Sequence, residues 1–223
     1  MFRGMAIMQY GSIEEKVLIP IEWLILCGFC LYLTAAYSAQ GISVQGQQVF
    51  IRTSRGKWWL SKCIWCTVSC AIYFACEMVV IIGAAFLTPI TFHLNNTPKV
   101  TTFLFSEVLW GDEISLMPTS VILYAVLLPF ITLTAISMIQ TCLNLVIRPA
   151  VSFLICFMVY IAAAYFPNGW LIGNGAMVMR SQLFDANGLA AEKELIAASL
   201  LLLLSVGVGY ILIQRKDLIS LEK

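Results

Sequence analysis

Five long apolar runs dominate this chain and limit what it can fold into. A helix that crosses the roughly 30 Å hydrocarbon core of a bilayer needs about 20 apolar residues. Runs of about this length occupy residues 17–39, 59–88, 117–146, 149–166 and 195–213. Of the 223 residues, 61% are hydrophobic and 11% are charged, whereas soluble domains carry roughly 25% charged residues. We therefore predict a single all-α transmembrane domain over residues 1–223, a polytopic membrane helix bundle with about five transmembrane helices.

Most of the charged residues lie in the connections, and their distribution predicts the topology. One set of connections, with the adjoining helix ends, carries these eight cations: Arg52, Arg55, Lys57, Lys62, Arg148, Arg215, Lys216 and Lys223. The opposite set carries five cations beside eight acids. Cytoplasmic connections hold the excess of lysine and arginine in membrane proteins, so we expect the N-terminus outside and the C-terminus in the cytoplasm. The net charge of +1 gives no overall field that would recruit nucleic acid.

Two connections on the predicted outer side are longer than a helical hairpin requires. Residues 89–116 contain an apolar and aromatic strip at 100–110, which could lie along the interface as a short helix or form an ordinary surface loop. Residues 167–194 contain glycines alternating with apolar residues at 170–184. A segment of this kind can enter the membrane only where protein covers its backbone. We predict a re-entrant or interfacial outer segment here.

Glu77 is the acidic residue that stands deepest in a predicted span. A bare carboxylate in hydrocarbon is costly, so this group should be neutral, hydrogen-bonded or facing a polar cavity. One interpretation is a group on the substrate pathway or linked to proton movement. The other is a neutral acid that bonds a neighbouring helix through Thr132 or Gln140. Both interpretations place Glu77 near the middle of its span.

The sequence contains no pattern of catalytic or metal-binding residues. The only histidine is His93, and the eight cysteines all lie in apolar runs, where we interpret them as packing residues. Polar residues of the third and fourth spans are more often used for bonding between helices than for lining a pathway. Cys27 with Cys30, and Cys63 with Cys66, have the two-residue gap of a redox or zinc pair, but no histidine or further acid is placed to complete a site. No nucleophile elbow, acid–histidine metalloprotease motif or phosphate-binding loop occurs. We expect no enzymatic activity and no cofactor or metal bound by this chain.

Three segments together resemble type 2 ATP-binding-cassette (ABC) transporter permease subunits. Residues 49–62, VFIRTSRGKWWLSK, resemble the cytoplasmic coupling segment that leads into a span in that family. Residues 168–181, NGWLIGNGAMVMRS, are similar to its outer segment before the last span, and residues 209–218, GYILIQRKDL, to its basic tail. The order and spacing of the three segments carry the resemblance. Family members usually have six spans and a cytoplasmic N-terminus, and this chain departs from them in offering five.

The resemblance implies partners and a coupling site. The chain would pair with a second permease chain, identical or related, in a bacterial plasma membrane, and would dock ABC ATPase subunits that hold ATP and magnesium. Residues 42–58 would form a cytoplasmic coupling helix. The residues that would couple the ATPase to the spans are Arg52, Arg55, Lys57, Trp58 and Trp59.

The function expected from the resemblance is that of a permease subunit in an ATP-driven exporter. Its substrate would be amphipathic or peptide-like, and self-protection against a toxic compound is one use of such a pump. The alternative is a membrane immunity or sensor protein that does not transport and binds its ligand at the outer surface. An ATPase partner would distinguish the two.

Overall fold

The computed structural model describes residues 21–40, 53–87, 126–166, 171–174, 177 and 190–215. These residues form an all-helical fold without strands. The five helices are α1 (Ile21–Gln40), α2 (Arg55–Leu87), α3 (Leu128–Leu143), α4 (Pro149–Tyr165) and α5 (Ala191–Arg215). The prediction of an all-α fold is confirmed for this part of the chain.

Two of the five helices are long and apolar enough to cross a membrane. They are α2 and α5, with 33 and 25 residues. The other three are shorter apolar helices, and α3 and α4 have only 16 and 17 residues, close to the lower limit of about 17 residues for a membrane span. Each of the five helices overlaps one of the five predicted runs, while residues 117–125 of the predicted third span lie outside the described residues.

The start of α2 differs from the sequence prediction. Residues 55–58, expected at the end of a separate coupling helix, form the first turn of α2. The backbone N–H of Trp58 donates to the Ser54 carbonyl oxygen over 3.1 Å and opens this turn. Because no proline follows, the helix continues without a break into the apolar run. The expected boundary at Trp58 is therefore wrong, while residues 42–52 of the proposed coupling helix lie outside the described residues.

The break between α3 and α4 agrees with the sequence. Proline ends one helix and is accepted in the first turn of the next, and α4 begins at Pro149 after Arg148 in extended conformation. The Ser152 hydroxyl donates to the side-chain oxygen of Asn144 and to the Pro149 carbonyl oxygen. These bonds hold the start of α4 against the end of α3.

Helix α3 lies at the centre of the bundle. It packs against each of the other four described helices, and residues 132–138 are buried without interruption. An isolated surface helix would leave one face exposed, so seven consecutive buried residues mean that α3 has neighbours on all sides. The polar residues of α3 therefore lie inside the bundle.

The outer faces of α2 and α5 are apolar and uncovered. Ile72 is 60% exposed on α2 and Leu203 is 65% exposed on α5, and further exposed isoleucine, leucine and valine residues line the same helices. Soluble monomers rarely expose contiguous apolar surface of this kind. The arrangement favours membrane association of the two long helices.

Candidate functional site

A small cavity lies between α1, α2, α3 and α4, beside Glu77. We refer to it as the Glu77 cavity, and its volume is about 40 Å³, enough for one water-sized group. Its lining residues are Trp23, Leu26, Cys27, Tyr73, Phe74, Glu77, Pro129, Thr132, Leu133 and Tyr160. Four helices thus contribute side chains to a single, partly open space beside one carboxyl group.

The Glu77 cavity lies near one end of the bundle. Trp23 and Cys27 belong to the first two turns of α1, and Pro129 is the second residue of α3. Glu77 follows Arg55 by about 33 Å of helix at 1.5 Å per residue, and only ten residues of α2 follow it. Within the described residues, Glu77 lies beyond the midpoint of α2, at the level where the described parts of α1 and α3 start.

The hydroxyl oxygen of Tyr160 lies at the Glu77 cavity without a hydrogen-bond partner among the described residues. This side chain is 1% exposed. The thiol of Cys27 lies close to this hydroxyl. The Trp23 ring meets the Tyr160 ring edge-on at a centroid distance of 5.1 Å, so the phenol is held in place while its oxygen lacks a partner. A buried polar atom of this kind normally finds a partner.

The other polar groups of the cavity have different roles. Tyr73 donates its hydroxyl to the Leu26 carbonyl oxygen over 3.0 Å, which ties α2 to α1. Thr132 is 3% exposed and lines the same space as Glu77. Gln140 lies about 12 Å further along α3, and its amide makes no hydrogen bond among the described residues. Of the two helix partners considered for Glu77, only Thr132 lies at the right level.

Part of the predicted re-entrant segment packs against this end of the bundle. Gly173 has a φ angle of +114°, a conformation that glycine adopts without a steric penalty, and a side chain there would meet Tyr160 and Trp23 at 3.2 to 3.4 Å. Asn174 is fully buried and donates its amide N–H to the Phe166 carbonyl oxygen over 2.8 Å at the end of α4. The glycine pattern of the sequence thus marks a point of close approach to the cavity wall.

The opposite end of the bundle joins α2 to α5. We call this contact the basic junction, formed by Arg55, Gly56 and Trp59 of α2 with Val206, Gly209, Tyr210 and Gln214 of α5. Arg55 donates to the Gln214 carbonyl oxygen over 2.8 Å. The indole N–H of Trp59 donates to the Val206 carbonyl oxygen over 2.9 Å.

Gly209 gives the basic junction its close fit. A Cβ atom at this position would overlap the six-membered ring of Trp59, so the indole lies directly on the backbone of α5. The sequence indicates Gly209 only as one of a stripe of small residues, and nothing in it specifies Trp59 as the partner. Gly56 is also near α5, where an added Cβ atom would lie 3.1 Å from the Tyr210 ring.

The predicted coupling residues divide into two groups. Arg55, Trp58 and Trp59 contact the bundle itself, with Trp58 and Trp59 buried and the Lys62 ammonium group 5.4 Å from the centre of the Trp58 ring. Lys57 is exposed. Arg52 lies outside the described residues. Of the described coupling residues, Lys57 is therefore the one whose side chain is exposed.

Cys30, Cys66 and Cys70 form a buried cluster where α1, α2 and α3 meet. The sulfur atoms of Cys30 and Cys70 are 4.0 Å apart, and Thr141 donates to the sulfur of Cys66 over 3.7 Å. All eight cysteines are free thiols, six of them buried. Within the described part of the chain, no group of three side chains has the arrangement of a metal site. The cluster is a packing contact with weak sulfur hydrogen bonds.

Comparisons with protein-family models, with curated proteins and with solved structures found no match. The similarity to type 2 ABC permeases thus stays a prediction from the three sequence segments.

Proposed function

We propose that this chain is the transmembrane permease subunit of an ATP-driven exporter in the bacterial plasma membrane. It would move an amphipathic or peptide-like substrate, with ATP and magnesium held by separate ABC ATPase subunits and with a second permease chain completing the pathway. The N-terminus would lie outside and the C-terminus in the cytoplasm. The five helices would all cross the membrane, with an outer segment that is re-entrant or interfacial.

The basic junction is the observation that carries this proposal. It joins the first turn of α2, which follows the basic connection, to the last turns of α5 through two side-chain-to-backbone hydrogen bonds. A force applied to this end of α2 would therefore act on α5 as well. A permease driven by an external ATPase needs such a rigid connection between its cytoplasmic surface and its spans.

The alternating directions of the helices support the five-span topology. The start of α1 lies beside the later part of α2, the start of α3 and the later part of α4 at the Glu77 cavity. At the other end, the start of α2 lies beside the end of α5. Successive helices therefore run in opposite directions, as they must when each one crosses the membrane and the next one returns.

A charge reversal at Lys57 tests the proposal. Lys57 is the exposed member of the described coupling residues, so Lys57→Glu should weaken attachment of an ATPase without disturbing the bundle. The tagged chain is purified from its native membranes, and Mg-ATP hydrolysis by the bound proteins is measured in nanodiscs. We expect a loss of at least about fivefold, the effect of roughly 1 kcal/mol in binding.

The matched control is Lys193→Glu, the same change on an exposed residue in the first turn of α5, at the other end of that helix. It should leave ATP hydrolysis unchanged. Equal losses from both variants would contradict a coupling role for the basic end. A wild-type chain that purifies without any ATPase would contradict the exporter and favour the immunity or sensor protein.

A further inference from the structure

We propose that the Glu77 cavity binds the primary ammonium group of a cationic amphiphilic substrate. This inference rests on the proposed function, since it names the chemical class of the molecule that the exporter would move. The binding itself would occur on this chain and requires no ATPase.

The oxygen atoms around the Glu77 cavity match the three N–H donors of a primary ammonium group. The Glu77 carboxyl is half-buried, the Tyr160 hydroxyl is buried without a described partner, and the Thr132 hydroxyl belongs to the same wall. A hydrogen bond to an ionised partner is about twice as strong as one between neutral groups. Binding would give the Tyr160 oxygen the partner that it lacks.

Aromatic rings form much of the remaining wall. Trp23, Tyr73 and Phe74 line the cavity together with the Tyr160 ring. The face of an aromatic ring attracts a cation, and the attraction increases when water is excluded. A carboxylate among several rings therefore favours a positively charged group over a neutral polar group of the same size.

The volume of the cavity restricts the size of the group. About 40 Å³ exceeds what a single water requires, and it suits a compact –NH₃⁺ end better than a bulkier trimethylammonium end. The rest of such a molecule would have to lie outside the cavity. Because the surrounding outer helix faces are apolar, an alkyl or peptide portion attached to the ammonium group would find apolar surface there. We therefore favour an amphiphile over a free inorganic cation.

The test uses the full chain in nanodiscs and follows its thermal unfolding midpoint against ligand concentration. A ligand that binds only the folded chain raises this midpoint. The probes are butylammonium, butyltrimethylammonium, 1-butanol and ammonium chloride. We expect butylammonium to raise the midpoint at a concentration at least about tenfold lower than any of the other probes requires. The reason is that it alone combines three N–H donors with an apolar chain.

Three variants locate the effect. Glu77→Gln should raise the butylammonium concentration required by at least about tenfold, and Tyr160→Phe by several-fold, because each removes one interaction with the charged group. Glu192→Gln changes an exposed glutamate in the first turn of α5 and should have no effect. If Glu77→Gln shows no cooperative unfolding, its midpoint cannot be measured, and the test of the cavity then depends on Tyr160→Phe.

Several results would overturn the inference. Equal effects of butylammonium and 1-butanol would indicate simple partition into the bilayer, and equal effects of ammonium chloride would indicate a site for a free ion. Unchanged binding in Tyr160→Phe would exclude this cavity. The exporter proposal would survive each of these results as long as Lys57→Glu lowers ATP hydrolysis, so the two proposals can fail separately.

Discussion

At the scale of single residues, side-chain hydrogen-bond donors fall into two groups. Some donate to the backbone of their own helix, and others donate to the backbone of a neighbouring helix. The hydroxyls of Thr34, Thr67 and Thr134 each donate to a carbonyl oxygen four residues earlier, a local bond that satisfies the hydroxyl without joining helices. Tyr73 and Trp59 instead donate to carbonyl oxygens of α1 and α5. With Arg55, which donates to the Gln214 carbonyl oxygen, three side chains of α2 connect it to two other helices.

Removal of the Tyr73 hydroxyl should weaken the contact between α1 and α2. Tyr73→Phe keeps the ring and loses the bond to the Leu26 carbonyl oxygen, so we expect the free energy of unfolding to fall by about 1 kcal/mol. Tyr32→Phe, at a position 59% exposed on α1, is the control and should change stability little. Denaturant unfolding in micelles measures both, and equal effects would show that the bond does not stabilise the fold.

The cysteines should remain reduced in the purified chain. All eight are free thiols in the structure, and a disulfide requires a sulfur separation of about 2 Å, well below the 4.0 Å between Cys30 and Cys70. Chain unfolded in detergent without reductant should therefore take up eight maleimide groups by mass spectrometry. An uptake of six would reveal a disulfide and contradict the interpretation of the cluster as packing.

Helix contacts at the element scale depend on a few small residues. In α5, Gly207 and Gly209 are the same residue type, but among the described residues only Gly209 lies against another helix. The sequence predicts the small-residue stripe and its capacity for close approach. It does not predict which glycine is used, because that depends on the rotation of α5 about its own axis.

A pair of glycine substitutions tests this assignment. Gly209→Ala would place a methyl group inside the Trp59 ring, and such overpacking typically costs about 1–3 kcal/mol. Gly207→Ala has open space around it and should be neutral or stabilise by up to about 1 kcal/mol, because alanine favours helix. Thermal unfolding in micelles distinguishes the two variants. Equal unfolding midpoints for the two variants would contradict the contact between Gly209 and the Trp59 ring.

The whole molecule is organised around α3, a helix with polar residues on a largely buried surface. The ends of the bundle differ: one holds the Glu77 cavity and the buried Asn174, and the other holds the basic junction. About 33 Å of α2 separates Arg55 from Glu77, roughly the thickness of the hydrocarbon core. A molecule with two distinct ends at this separation suits a role across a membrane.

Cysteine labelling in whole cells tests the topology. Lys193→Cys and Lys57→Cys place a thiol at exposed positions near opposite ends of the bundle. We expect an impermeant maleimide to label Lys193→Cys in intact cells and Lys57→Cys only after permeabilisation, because the basic end should face the cytoplasm. The wild-type chain reports any background from the native thiols. The reverse pattern would show that the basic end faces outward. Labelling of both cysteines in intact cells would contradict a topology with the two ends on opposite sides of the membrane.

The sequence alone determined the positions of the helices and the division of charge between their connections. Both depend on local composition: apolar runs require helix in a bilayer, and cations avoid translocation. The tertiary structure alone decided that Trp59 meets Gly209, that Tyr160 lines the cavity beside Glu77, and that this cavity lies near one end of the bundle. The physical reason is that these helices are apolar on nearly every face, so hydropathy does not indicate which face turns inward. Only the packing of helices distant in sequence fixes their rotation and their relative height.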